Sequence, residues 1–177
     1  MKKLLKIVCL SLSSIVASPL VGAATETPSR QGRVVFVQDG DSMKVAVGSR
    51  LLTLRLQGID TPEKGQPFAT EATRFVKKKV MGRTVTFRMS GLDLYHRIVA
   101  EVILNDGHSL NRELVAAGLA WRDPRYSRDS TLKKLEKKAR SERRGLWAMP
   151  DPLPPWEWRR DHRRRGNHFV GNGSPGS

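Results

Sequence analysis

Six residues in three short segments of this 177-residue chain have the side chains that phosphodiester cleavage needs. They are Asp41, Arg55, Asp60, Thr61, Glu63 and Arg97. Two carboxylates, from Asp41 and Asp60, and a backbone carbonyl are ligands that a hard divalent cation prefers. Two arginines suit a phosphate held by bidentate hydrogen bonds. Because Glu63 adds a carboxylate that can hold or deprotonate a water molecule, the set predicts metal-assisted cleavage of a phosphodiester.

Each segment has a commoner explanation when it is taken alone. Asp39-Gly40 is a two-residue hairpin signal, and Asp60 favours a loop that leads into a helix. An arginine such as Arg55 or Arg97 can form a surface ion pair of small worth. The co-occurrence of the segments favours an active site, because together they fill the roles that one needs. Since only two metal carboxylates are apparent, a single ion is favoured over a two-metal site.

The charge of the chain indicates a polyanionic partner. The formal net charge is +15 and the pI is near 10.8, which is typical of proteins that bind nucleic acid or an anionic membrane. A membrane-surface protein needs a basic helix with bulky apolar residues on its other face. The basic segment 132–143 offers only a thin apolar stripe, Leu132 and Leu135. We therefore expect nucleic acid as the partner, with no stable membrane anchoring.

Residues 1–23 have the pattern of a cleavable signal peptide. Lys2, Lys3 and Lys6 form a basic start, the run from Leu4 to Leu20 is mostly apolar, and Val21-Gly22-Ala23 fits a small-residue cleavage site. A lysine and several serines interrupt the run, so a permanent membrane span is not expected. The pattern predicts a periplasmic or secreted protein, cleaved near Ala23/Ala24. The single cysteine, Cys9, lies in this segment, so the mature chain is expected to contain no disulfide and no thiol.

The rest of the chain divides into a flexible lead-in at 24–32, a folded domain at 33–149 and a Pro/Trp/Arg-rich tail at 150–177. Hydrophobic periodicity predicts strands at 33–38, 42–47, 52–56, 84–89 and 98–104, and helices at 67–81, 110–117 and 132–143. Five short strands with a helix between the third and fourth indicate an α+β, mainly β fold: a small closed Greek-key barrel with three helices. Four prolines at the start of the tail exclude regular structure there, and we expect it to be mostly disordered.

The motifs taken together resemble those of the staphylococcal nuclease (thermonuclease-like) family. The run Arg55-x-x-x-x-Asp60-Thr61-Pro62-Glu63 follows an Asp-Gly-Asp hairpin and precedes Asp93-x-Tyr95-x-Arg97. The later runs Asn111-x-x-Leu114-Val115-x-x-Gly118-Leu119-Ala120 and Gly145-Leu146-Trp147 are similar too, so the match covers roughly residues 33–148. The signal segment, the length and the basic tail also resemble nucleases carried on broad-host-range plasmids.

The resemblance implies a five-stranded OB-fold barrel and a calcium-dependent nuclease acting on DNA and RNA. It implies cleavage of the 5′-O–P bond, which leaves 3′-phosphate ends. By matched position, Asp41 and Asp60 would be carboxylate ligands of one Ca²⁺, and Thr61 would be a backbone-carbonyl ligand. We expect the two carboxylates to be exposed at the site and the protein to be a monomer.

The resemblance also implies catalytic roles. Arg55 and Arg97 would bind and neutralise the scissile phosphate, and Glu63 would activate or position the water that attacks in line. Tyr95 and Tyr126 are retained and would contact the substrate. The alternative function is a catalytically silent nucleic-acid-binding OB-fold module. A silent relative is expected to have lost a ligand or an arginine, whereas all of them are present here.

Two further assignments stay open at the level of sequence. His96 lies beside Arg97 and is a conceivable general base, although solvent exposure is the simpler explanation because no second histidine or cysteine completes a transition-metal site. Trp156 and Trp158 in the tail either stack on bases or dock on the barrel.

Overall fold

The computed structural model describes residues 29–170, and side chains as far as residue 163. The predicted signal peptide lies outside the described residues, as do most of the lead-in and residues 171–177. The strands are β1 (Ser29–Val37), β2 (Ser42–Val47), β3 (Arg50–Leu56), β4 (Ile59–Asp60), β5 (Thr84–Leu92), β6 (Ile98–Ile103) and β7 (Trp121–Arg122). The helices are α1 (Ala69–Val80), α2 (Leu110–Ala116), α3 (Ser130–Ser141) and α4 (Pro155–Val170), with a 3₁₀ turn at Gly145–Ala148.

Five of the strands close into a barrel in the order β1-β2-β3-β6-β5. The barrel is closed because β1 pairs with both β2 and β5. All neighbours are antiparallel except β3 and β6, which run parallel. The short strands β4 and β7 pair separately beside the barrel. The predicted α+β, mainly β, five-stranded barrel is confirmed, with α1 between its third and fourth strands.

The alternating apolar residues of the strands form the barrel interior. Met43 and Val45 of β2 are buried two residues apart, as period-two patterning requires. Val34 and Val37 of β1 are buried three residues apart, because a register shift between Val34 and Phe36 interrupts the alternation. Helix α1 covers the barrel with one buried stripe, Ala72, Val76 and Val80. The resulting rigid scaffold carries the loops at which the candidate residues lie.

A buried asparagine ties α2 to the barrel. Asn111 is 3% exposed, and its side-chain oxygen accepts a hydrogen bond from the Val102 backbone N–H at 3.1 Å. Its Nδ2 donates to the carbonyl of Gln57 at 2.9 Å. Because an unpaired buried amide is costly, this pairing fixes α2 against the segment that joins β3 to β4.

The prediction of a mostly disordered tail and of only three helices is wrong for residues 155–170, which form α4. The prolines at 150, 152 and 154 do precede the helix, but Pro155 is its first residue, a position that needs no backbone N–H partner. Trp156 packs against the second apolar cluster of the protein, formed by Trp121, Ala139, Leu146 and Trp147. Tertiary contact therefore stabilises a segment whose composition alone predicts disorder.

Candidate active site

Arg55 brings two predicted metal ligands together. It lies near the end of β3 opposite Ser42, the first residue of β2, so that its side chain reaches the loop that holds Asp41. Its Nη1 donates to Oδ1 of Asp41, and its Nη2 donates to Oδ1 of Asp60 at 2.7 Å. The backbone N–H of Leu56 donates to the carbonyl of Asp41 at 2.8 Å, which fixes the loop. One guanidinium therefore bridges the two carboxylates.

Asp41 is held by three further hydrogen bonds. The backbone N–H and the hydroxyl of Thr61 each lie 2.9 Å from Oδ2 of Asp41, and the Ser42 hydroxyl donates to Oδ1 at 3.2 Å. The expectation that both carboxylates are exposed is wrong, since Asp41 is 2% and Asp60 1% exposed. Their partners cover them, because an ionised carboxylate can be buried only when it is paired.

The pKa shifts of Asp41 and Arg55 follow from their burial and from their opposite charges. Burial raises the pKa of Asp41 above its ordinary value, although Arg55 and the hydrogen bonds from Thr61 oppose the shift. For Arg55, burial works against the charged form, but the attraction of Asp41 and Asp60 is stronger and raises the pKa of the guanidinium. The charged form of Asp41 is therefore opposed by burial and favoured by the positive charge of Arg55.

The loop between β5 and β6 aims the second arginine at the same place. Nε of Arg97 donates to Oδ2 of Asp93 at 2.7 Å, and its Nη1 donates to the Ser42 hydroxyl at 3.2 Å. The other oxygen of Asp93 accepts from the backbone N–H groups of Tyr95 and Arg97, each at 2.9 Å. Burial would raise the pKa of Asp93, but these hydrogen bonds outweigh it and lower the pKa. Asp93, which had no predicted role, thus positions Arg97.

Glu63 lies in the segment between β4 and α1 and keeps its carboxylate at the surface. Its backbone N–H donates to Oε1 of Gln66 at 2.7 Å, and the Gln66 backbone N–H donates to the Glu63 carbonyl at 2.8 Å. The side chain of Glu63 is 37% exposed, so its carboxylate is accessible to water as the predicted role requires.

A third arginine, which sequence reasoning missed, contacts the same carboxylates. Nη2 of Arg159 in α4 donates to Oδ2 of Asp60 at 2.7 Å, and its Nη1 lies 3.3 Å from Oδ1 of Asp60 and pairs with Oε1 of Glu63. The sequence signal was the arginine-rich tail itself, which gave no indication that one member would reach the barrel.

The two tyrosines have different surroundings. Tyr95 is 78% exposed, and the guanidinium carbon of Arg97 lies 5.4 Å from its ring centre. Tyr126 is 75% exposed and lies against Arg125, beside a cavity of about 150 Å³ between α2 and α3. The structure therefore places Tyr95 directly beside a candidate phosphate-binding residue.

The carboxylate pair fits a hard cation. Asp41 and Asp60 converge on one positive group, the Arg55 guanidinium, and all the ligand atoms predicted from the sequence are oxygens. A second cluster of possible ligands, Asp106, His108 and Glu113, lies at the turn after β6 and in α2, with its ligand atoms within 4.8 Å of one another. Two of these three are exposed, and Lys79 Nζ lies 3.0 Å from the Glu113 carboxylate, which makes this cluster the poorer candidate.

Within residues 29–170, we find no helix of the length and apolar character that a membrane crossing requires.

The family model described as Staphylococcal nuclease homologue matches residues 53–149. An Escherichia coli protein named Uncharacterized endonuclease is 42% identical over 133 residues, which cover 75% of this chain and 86% of that protein.

Two other relatives extend the comparison. Protein ParB of Escherichia coli is 33% identical over 156 residues, covering 82% of this chain and 88% of its own length. The Probable staphylococcal-like nuclease CAN1 of Oryza sativa subsp. japonica is 39% identical over 110 residues, 62% of this chain and 33% of that protein. The extent of the family match and the identity to these relatives confirm the resemblance shown by the sequence motifs. The chain belongs to the staphylococcal nuclease family.

Proposed function

We propose that this protein is an exported, calcium-dependent nuclease that hydrolyses phosphodiester bonds of DNA and RNA. The observation that carries the proposal is the convergence of Arg55 and Arg97 on the Asp41–Ser42 pair, next to buried Asp60. Family membership supports nuclease chemistry. The predicted signal peptide supports export.

The metal would be held by the carboxylates of Asp41 and Asp60 and the backbone carbonyl of Thr61. When bound, the ion supplies positive charge that stabilises a phosphorane-like transition state. Calcium is the preferred candidate because all of these ligands are hard oxygens and because calcium is plentiful outside the cell.

The protein side chains perform the remaining steps. Arg55 and Arg97 bind the non-bridging oxygens of the scissile phosphate through planar pairs of N–H groups, and they bind more strongly as negative charge builds there. Glu63 accepts a hydrogen bond from a water molecule and holds it in line with the bond that breaks. The new bond joins the water oxygen to phosphorus while the bond from phosphorus to the 5′-oxygen breaks. The water gives up a proton, the departing 5′-oxygen takes one up to become a hydroxyl, and the phosphate remains on the 3′-oxygen.

One incubation tests this proposal against a silent binding module. The full chain is mixed with plasmid DNA or with a single-stranded RNA oligonucleotide, in calcium or in excess EGTA, and the product ends are identified by mass spectrometry. We expect cleavage of both substrates in calcium only, with 3′-phosphate and 5′-hydroxyl ends. Cleavage in EGTA would contradict the metal, 5′-phosphate ends would contradict the cleavage position, and binding without cleavage would favour the silent module.

A further inference from the structure

Every carboxylate oxygen of the predicted metal ligands already has a donor. Oδ1 of Asp41 accepts from Arg55 and Ser42, and Oδ2 accepts from Thr61. Oδ1 of Asp60 accepts from Arg55 and Arg159. Among the residues that the structure describes, Oδ2 of Asp60 accepts only from Arg159, at 2.7 Å. A cation that binds Asp60 would therefore lie close to at least one guanidinium, and the two positive charges would repel each other.

Arg159 is the more displaceable of the two arginines. Arg55 is part of the barrel strand β3 and is 20% exposed, whereas Arg159 is 35% exposed and reaches the site from α4. The helix follows the proline-rich segment 150–154, outside the barrel. The expected interaction energy of a partly exposed ion pair is small compared with that of a buried one.

The position of Arg159 is nevertheless specific. Its guanidinium spans both oxygens of Asp60 and also reaches Glu63, the predicted water-holding residue. Burial opposes its charge, but the hydrogen bonds and attraction of Asp60 and Glu63 raise the pKa of its guanidinium. Arg160, the next residue, is 55% exposed, and the one described carboxylate with which it pairs is that of Asp161, at 3.7 Å. One arginine of the tail thus takes the place of a cation, and its neighbour does not.

Two contacts besides Arg159 seat α4 at this position. Trp156 packs on the cluster of Trp121 and Trp147 and lies under the Arg125 guanidinium, 5.3 Å away. Nε2 of Gln66 donates to the Leu153 carbonyl at 3.0 Å, and Gln66 also binds the backbone of Glu63. The docking of α4 is therefore coupled to the segment that carries Glu63.

We propose that Arg159 is a third active-site arginine, which pairs with Asp60 and Glu63 until a divalent cation displaces it. The form with α4 docked and the form with metal bound then exclude each other. The inference rests on the proposed metal site at Asp41 and Asp60. It means that the C-terminal helix sets the apparent affinity for the metal, because only the fraction of molecules with Arg159 withdrawn can bind it. Release of the helix also frees the Glu63 carboxylate from its ion pair with Arg159.

Isothermal titration calorimetry of the full chain with calcium tests whether docked α4 and bound metal exclude each other. Arg159→Gln removes the charge and the planar fork, and Arg160→Gln is the matched control on the same helix. We expect calcium to bind about five- to twentyfold more tightly to Arg159→Gln than to wild type, because the competing ion pair is lost. Arg160→Gln is expected to bind calcium as the wild type does.

The outcomes separate this inference from the proposed function. Equal calcium affinity in wild type and Arg159→Gln would overturn the exclusion and leave the metal site intact. An equal gain in calcium affinity in Arg159→Gln and Arg160→Gln would also overturn the exclusion, since a general loss of positive charge would then be the cause. Absence of calcium binding in all three proteins would overturn the metal site as well.

Hydrogen exchange gives a second measurement that does not depend on activity. We expect saturating calcium to accelerate amide exchange in residues 155–163 of the wild type, because α4 loses its contact with Asp60 and Glu63. In Arg159→Gln the same peptide is expected to exchange fast already without calcium. Unchanged exchange of α4 in the calcium-saturated wild type would overturn the proposal.

Discussion

At the scale of single residues, Arg55 and Arg97 have different surroundings although both are proposed to bind one phosphate. Arg55 is the counter-charge of two buried carboxylates, so a substitution there alters the metal site and the phosphate site together. Arg97 contacts Asp93 and the hydroxyl of Ser42, and neither of these is a predicted metal ligand. Arg97 therefore offers the cleaner test of phosphate recognition.

Arg97→Lys keeps the positive charge and removes the planar fork. We expect kcat on a short single-stranded oligonucleotide at saturating calcium to fall about a hundred- to a thousandfold, the loss typical of one preorganised donor to a transition state. The melting temperature is expected to change little. Arg88→Lys is the control, because Arg88 is half exposed and meets only Glu101, at 3.5 Å. A kcat of Arg97→Lys close to that of Arg88→Lys would contradict the phosphate role.

The sequence predicts the members of the site better than their environment. Asp41, Arg55 and Asp60 were expected in one place, and one guanidinium joins them. Their spacing could not reveal that both carboxylates are buried, because burial depends on side chains from other elements. Arg159 was not predicted at all, since it lies 99 residues from Asp60 and its local composition indicates disorder.

At the scale of elements, the loop between β5 and β6 depends on one carboxylate. The pKa of Asp93 is lowered, so its contribution to stability is complete above the ordinary value of 3.8 and is lost as the pH falls through the lower value of the folded protein. We expect Asp93→Asn to reduce kcat about ten- to a hundredfold at pH 7, because Arg97 loses its orientation. The loss of unfolding free energy, measured in urea, is expected to be largest near neutral pH and to shrink below about pH 4.

The same variant separates orientation from overall stability. If Asp93→Asn lowers kcat while the melting temperature at pH 7 stays within a few degrees, the loop acts by positioning Arg97. A kcat equal to that of the wild type would show that the Asp93 contacts are dispensable.

The junction of α2 with the 3₁₀ turn requires two glycines. Gly118 and Gly145 have φ of +70° and +53°, and a Cβ on either would overlap backbone atoms of the other segment. We expect Gly118→Ala to cost about 3–4 kcal/mol of unfolding free energy, from conformational strain plus steric overlap. Gly82→Ala has a similar φ of +73° but open space around its Cβ, and is expected to cost only about 1 kcal/mol. Equal costs in urea denaturation would contradict the close approach.

The strands and helices of the barrel were predictable because each carries a regular apolar pattern. Strand β2 covers the predicted residues, and the boundaries of α1 and α2 differ from the prediction by no more than two residues. The helix α4 was not predictable, because its stabilising contact is made by Trp156 with residues nine or more positions away along the chain. The short pair β4–β7 escaped prediction for a related reason, since two-residue strands have no periodicity.

At the scale of the whole molecule, the positive charge is expected to strengthen binding to long nucleic acid. Arg160 and Arg163 on α4 are exposed, and Arg160 is not among the donors to Asp60 and Glu63. We expect Arg160→Gln with Arg163→Gln to weaken duplex binding in EGTA and to reduce the slope of log K against log salt by up to about 2. Substitution separates charge from folding better than truncation at Pro150 would, because truncation also removes the packing of Trp156. An unchanged slope would mean that α4 does not meet the phosphate backbone.

Calcium is expected to stabilise the whole fold, because its two proposed carboxylate ligands, Asp41 and Asp60, are buried together only in the native state. At a calcium concentration one hundred times the dissociation constant, the gain is about 2.7 kcal/mol, which corresponds to a rise of about 5–15 °C in the melting temperature. Asp41→Asn is expected to abolish the rise, since it removes a ligand and keeps the side-chain volume. The control is Asp106→Asn, which alters the second cluster of possible ligands and is expected to retain the rise. Loss of the rise in Asp106→Asn and its survival in Asp41→Asn would place the ion at the second cluster and refute the assignment to Asp41 and Asp60.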